Sequence, residues 1–225
     1  MLSHGSGCNI DGLGWLAGAL AQNGALVLAD PNFGPHIDPE RIYSIGFSMG
    51  GATTLQLAGS RGDIGAFKAH CTGPGVRHLG CAYFAAGGVN YDTIAAKDFN
   101  QDLREARISR TVGVDSGLAR AFTGTSIAVL DHPMLLIALG RKSLEQAGID
   151  VGPNGSGLSD RIKDARFHAL NPASHFSFLG LCTRDAVKIL KAEDEEQLCN
   201  PEDTAIRALM HQKAISLISE FLRLN

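Results

Sequence analysis

The chain of 225 residues contains no apolar run close to the roughly 20 residues that a membrane-spanning helix needs, which excludes a helical span. Charge of one sign is also scarce. The formal net charge is −3, which gives no electrostatic case for nucleic acid or for an anionic membrane surface as partner. No C-x-x-C pair occurs, so a zinc site is not expected. There are no internal repeats and no low-complexity tracts. The opening Met1-Leu2-Ser3-His4 lacks a basic region followed by an apolar segment, so no signal peptide is visible. The chain starts abruptly, inside what reads as a strand and loop, as a mature or trimmed fragment would.

What remains is ordinary globular material, with 44% hydrophobic and 19% charged residues. The length fits one domain over residues 1–225, long enough to bury a substantial core. The most informative element is Gly46-Phe47-Ser48-Met49-Gly50. It follows an apolar stretch, Ile42-Tyr43-Ser44-Ile45, and precedes a helical segment from Met49 to about Ser60. A G-x-S-x-G element between strand and helix is a nucleophile elbow: a turn so tight that only glycine fits at its flanks, with the serine hydroxyl thrust toward substrate.

Apolar spacing predicts a helix over 12–22 and a short buried strand over 24–29. Further strands are predicted at 42–47, 108–114, 133–139 and 165–170, and an amphipathic helix begins at Pro201. Residues 61–91 are Gly-rich with little periodicity, and 61–107 reads as an insertion. Strands alternating with helices imply an α/β fold, a mostly parallel sheet covered on both faces. One link conflicts with that plan. Asp30 to Arg41 holds three prolines and cannot form the crossover helix that joins adjacent parallel strands. A segment is therefore expected to be missing between Ala29 and Asp30, unless the crossing is extended.

Serine needs a base, and the base needs an orienting acid. Of the eight histidines, His175 lies in a late loop, Asn171 to Phe176, where chain order in such folds puts the base. His4 is expected to hold the loop that supplies oxyanion-binding amides. His36, His70, His78, His132, His168 and His211 lack such a context, and His132 and His168 read as packed or edge residues. Asp115 ends a strand at the sheet rim where ligands bind, and is the favoured acid ahead of Glu145 and Asp150. The amides of Ser6 and Met49 are the expected oxyanion donors. Cys8 reads as a packed thiol. Five cysteines leave two arrangements open: local bridges Cys71–Cys81 and Cys182–Cys199, or five reduced thiols.

Taken together, Ser3-His4-Gly5-Ser6-Gly7, Asp38-Pro39-Glu40-Arg41-Ile42 leading into Gly46-Phe47-Ser48-Met49-Gly50-Gly51, Val114-Asp115-Ser116-Gly117 and Ser174-His175-Phe176-Ser177-Phe178-Leu179 resemble the bacterial dienelactone-hydrolase-like proteins of the α/β-hydrolase superfamily. More distantly, the chain is similar to platelet-activating-factor acetylhydrolases. The resemblance implies an α/β-hydrolase fold and a serine esterase with Ser48, Asp115 and His175 as triad, acting on a small-molecule ester without metal or organic cofactor. It also implies bridges Cys71–Cys81 and Cys182–Cys199 in an exported bacterial protein, periplasmic or secreted. Two departures stand out: relatives carry strands before the His-Gly loop, and a longer stretch with a crossover helix between the residues matching Ala29 and Asp30. Dienelactone hydrolases proper use a cysteine where this chain has Ser48. The rival expectations are a peptidase or acyltransferase on the same scaffold, and an inactive binding protein that keeps the elbow.

Overall fold

Short apolar strands with β-branched and small residues form the centre of this architecture, because only a sheet satisfies their backbone groups away from water. The computed structural model describes residues 1–27, 37–140 and 145–224. Five strands form one all-parallel sheet in chain order: β1 (Leu2–Ser3), β2 (Ile42–Phe47), β3 (Ile108–Val114), β4 (Met134–Leu139) and β5 (Ala165–Leu170). The register pairs Ser3 with Gly46, Phe47 with Val114 and Leu139 with Leu170, so the strands finish at a common rim.

Alternation along the strands sends side chains to two separate cores. On one face, Ile45, Phe47, Val112, Val114, Leu135 and Ile137 meet the helices α1 (Gly14–Gln22) and α9 (Pro201–Leu222). On the other, Met134 and Leu136 meet α2 (Met49–Ala58) and α6 (Gly124–Ala128). β4, whose residues are all buried, contributes to both cores. The expected α/β class, with helices on both faces, is what the described residues form.

α1 and α2 therefore lie on opposite faces, α1 after β1 and α2 after β2. The chain leaves β1 toward one face and β2 toward the other. Their diverging loops open a crevice at the carboxyl ends of the two strands, the place where open α/β sheets bind ligands.

One expectation changes here. Over 24–27 the chain makes no strand: Gly24 closes the turn after α1, and Ala25 and Val27 pack against the core without a strand partner among the described residues. Residues 28–36, which include the expected gap between Ala29 and Asp30 and also His36, lie outside the described residues. The region 61–107 has regular elements of its own. It carries α3 (Ile64–Cys71), α4 (Leu79–Ala86) and α5 (Ala96–Phe99). The Asp63 side chain caps α3 by accepting the Ala66 N–H. Phe67, Cys71, Cys81 and Ala121 form a small separate cluster beneath these helices. Two further short helices are α7 (Leu158–Arg161) and α8 (Ala186–Ala192).

Cys71 is bonded to Cys81 and Cys182 to Cys199, and Cys8 is the free thiol. The closed loops span 10 and 17 residues. Restricting such loops in the unfolded chain stabilises the fold by about 3 kcal/mol each. Replacing Cys182 and Cys199 together by serine is accordingly expected to lower unfolding free energy by about 3 kcal/mol in a denaturant titration. An unchanged midpoint would show that this bridge constrains nothing. Among the described residues, no helix is long and apolar enough to cross a membrane.

Candidate active site

The turn after β2 explains why glycine flanks Ser48. A methyl group on Gly46 would stand 2.0 Å from the Gly50 carbonyl oxygen, and one on Gly50 would stand 2.2 Å from that of Ser3. No side chain fits either place. Ser48 itself has φ 56° and ψ −120°, a conformation that costs a non-glycine residue of order 1–3 kcal/mol. The turn is pinned on both sides: the Ser48 N–H donates to Val114 O at 3.0 Å, and the Gly117 N–H donates to Ser48 O at 2.7 Å. Strain held this way, at a rim position, aims the hydroxyl out of the sheet.

Asp115 follows β3 at the same rim. It is fully buried, and its N–H donates to Ile137 O at 2.8 Å. Its Oδ1 accepts the Leu139 N–H at 2.8 Å, which fixes the carboxylate plane. Its Oδ2 lies 3.0 Å from His175 Nδ1. His175 opens a 3-10 turn, His175–Phe178, after β5. Its ring is 4% exposed, stacked on Phe47 at 4.6 Å, and edge-on to Phe176 at 5.5 Å. Its Nε2 lies 3.2 Å from Ser48 Oγ. Residues 115, 175 and 48 thus form one hydrogen-bonded chain, although 127 positions separate His175 from Ser48. In the tautomer whose Nδ1–H donates to Asp115, Nε2 faces the Ser48 hydroxyl as an acceptor.

The two residues expected to supply the oxyanion donors, Ser6 and Met49, line the same cavity. The N–H of Met49 is the first of α2, one of the donors that a helix start leaves without an intrahelical partner. Ser6 lies in the turn after β1, closed by the Cys8 N–H donating to Gly5 O at 3.2 Å. A methyl on Gly5 would reach Ser48 Cβ at 2.9 Å, so this turn rests directly against the serine. His4 donates from Nδ1 to Gly5 O at 2.9 Å, a bond within the loop that it is expected to hold.

The cavity measures about 360 Å³ and includes Ser6, Ser48, Met49 and His175 in its wall. Most of its wall is apolar, with Phe47, Phe67, Tyr83, Phe84, Leu118 and Phe176 the larger contributors. Cys81 and Leu198 also border it, so both disulfide-linked segments serve as walls. Cys8 stands at its edge, and burial raises its thiol pKa, which keeps it a thiol rather than a thiolate.

The remaining acids and histidines separate cleanly from this chain of bonds. Asp150 accepts the Gly152 N–H at 2.9 Å within its own loop. The side chain of Glu145 lies outside the described residues. His132 packs against Thr111 Oγ1 at 2.9 Å, with its pKa lowered by burial, and His168 lies on β5, paired with β4 alone among the described strands. His70 and His78 have no context in the sequence that points to the cavity. The bridge Cys71–Cys81 brings them together on its wall, Nε2 to Nδ1 at 3.0 Å. Burial, then His78 and then Arg120, lowers the His70 pKa, which favours its neutral form. For His211 the sequence shows only a place on the last helix. The residue is 6% exposed, stacked on Trp15 at 3.7 Å, and bonded to the segment behind His175.

Among the described residues, no group of three or more His, Cys, Asp or Glu side chains converges as a metal site. Comparison with protein-family models, with curated proteins and with solved structures finds no match for this chain.

Proposed function

We propose that the protein is a serine hydrolase of carboxylic esters, built on an α/β-hydrolase fold. The observation that carries this reading is the hydrogen-bonded chain Asp115–His175–Ser48 opening onto an apolar cavity. In this reading His175 Nε2 takes the Ser48 proton as Oγ attacks the ester carbonyl carbon. Asp115 keeps the Nδ1–H in place and stabilises the imidazolium that forms. The carbonyl oxygen becomes an oxyanion and accepts from the Ser6 and Met49 N–H groups. As the tetrahedral intermediate collapses, the carbon–oxygen bond to the alcohol breaks. His175 returns its proton to that alcohol, leaving an acyl group on Ser48 Oγ. Water, deprotonated by His175, then attacks the acyl carbon, and the acid leaves as Ser48 regains its proton.

The apolar wall favours an ester with an apolar acyl or alcohol part, because burying that part supplies binding without polar partners. The two disulfides favour an oxidising compartment, so an exported protein, periplasmic or secreted, is part of the reading.

Treatment with a fluorophosphonate, followed by peptide mass spectrometry, tests it. One adduct on Ser48 together with turnover of p-nitrophenyl esters is expected. An adduct elsewhere, or none on folded protein, overturns the reading. In the same substrate panel, faster cleavage of anilides than of esters would assign a peptidase. Acyl transfer to an added alcohol in preference to water would assign an acyltransferase.

A further inference from the structure

Three buried polar side chains on α9 take no part in those steps, yet they converge on the segment that carries the base. Asp203, Arg207 and His211 recur every four residues and so share one stripe of the helix. Their exposures are 6%, 1% and 6%. Charged groups are not held in such places without specific partners.

Those partners flank His175 closely. Asp203 Oδ2 accepts the Ser174 hydroxyl, and Oδ1 accepts that of Ser177 at 2.9 Å. Ser177 Oγ in turn accepts the Ser174 N–H at 2.9 Å, closing a ring of bonds around the backbone of the base. His211 Nε2 is 3.1 Å from Ser177 O and 2.9 Å from Leu179 O, and donates to them. Trp15, on which His211 stacks, donates its indole N–H to Phe178 O at 3.2 Å. Arg207 donates to Gly180 O and Leu198 O, both at 2.7 Å. The segment 174–180 is thus fastened to α9 along its length, and Asp203 holds the part nearest the ring. Asp203 is itself fixed by donating its N–H to Asn200 Oδ1 at 3.1 Å.

We infer that Asp203 is a positioning residue for His175. It holds the serine hydroxyls before and after the base, so that Nε2 stays in line with Ser48 while Nδ1 stays on Asp115. The inference rests on the reading of His175 as general base. Asp203 touches neither substrate nor reacting atoms. Its effect passes through Ser174 and Ser177 to the backbone that sets the direction of the ring.

Misplacing a catalytic group by about 1 Å costs on the order of 10²-fold in rate. Asp203→Ala is therefore expected to lower kcat by about 10²-fold with KM little changed. The rate of fluorophosphonate labelling should fall in parallel. Asp203→Asn keeps one acceptor and offers an N–H to the other hydroxyl, which can rotate to accept it. This variant should recover most of the loss. The downfield proton resonance of the Nδ1–H···Asp115 bond should be sharp in the wild-type and Asn proteins and broadened in the Ala protein. Should Asp203→Ala fail to fold, Ser177→Ala removes one of the two hydroxyls and should give a smaller loss of kcat in the same direction. Wild-type kcat in Asp203→Ala or Ser177→Ala, a loss carried by KM, or a lowered melting temperature with an unchanged resonance and kcat overturns the positioning role. Ser48→Ala in the same panel separates the two levels: labelling that survives it removes the hydrolase reading itself, whatever Asp203 does.

Discussion

Ser48→Ala is expected to lower kcat for ester hydrolysis by about 10⁶-fold, and His175→Ala by about the same. The double variant should lose almost nothing more. The reason lies in the geometry: in the proposed mechanism Ser48 Oγ and His175 Nε2, 3.2 Å apart, act as one unit in which proton removal and nucleophilic attack happen together. Without the hydroxyl there is nothing for the imidazole to activate, and without the imidazole the hydroxyl is a poor nucleophile. What survives in each variant is binding in the cavity and stabilisation of the oxyanion, which neither side chain provides. Stopped-flow or long-time hydrolysis of an activated ester measures all three proteins. Single losses that multiply in the double variant would show that the two residues work in separate steps, and the shared mechanism would fall.

Asp115→Asn is expected to lower kcat by about 10⁴-fold while the backbone stays as it is. Asp115 has one oxygen on the Leu139 N–H and the other on His175 Nδ1. An asparagine that keeps its oxygen on Leu139 turns its NH₂ toward the imidazole. Nδ1 must then accept rather than donate, so the ring proton moves to Nε2. The nitrogen facing Ser48 would carry a proton and have no lone pair with which to receive another. KM should change little, because Asp115 is fully buried beneath the ring and away from the cavity wall. A variant with near-wild-type kcat would mean that something else sets the tautomer, and Asp115 would lose its role.

The elbow is legible in the sequence because its constraint is steric and local. Carbonyl oxygens 2.0 and 2.2 Å from where side chains would begin leave glycine as the sole choice at 46 and 50, and a sequence records such demands directly. Asp115 and His175 are legible in a different way. Each follows a strand, and parallel strands ending at one rim deliver the residues after them to one place. The support behind His175 is harder to see, because the apolar stripe of α9 points to Met210, Ala214 and Ile218 and casts the polar residues of the helix as solvent-facing. The signal is present all the same: three ionisable residues spaced by four beside that stripe. Helices α3 and α4 are hidden since glycines interrupt them, and their order comes from Phe67, Cys71 and Cys81 packed together, a tertiary effect. The apolar run at 24–27 misleads because an unpaired apolar segment and a strand share the same composition, and pairing is decided by neighbours far along the chain.

The opposite departures of the chain from β1 and β2 have a consequence for how such a molecule can diversify. The cleft lies where the chain's routing leaves it, between the loops that follow β1 and β2. Everything bordering it from outside the sheet, the cystine-tethered turns included, is upholstery around a fixed seat. Lineages can re-cover those surroundings for a new guest and leave Ser48, Asp115 and His175 where they stand.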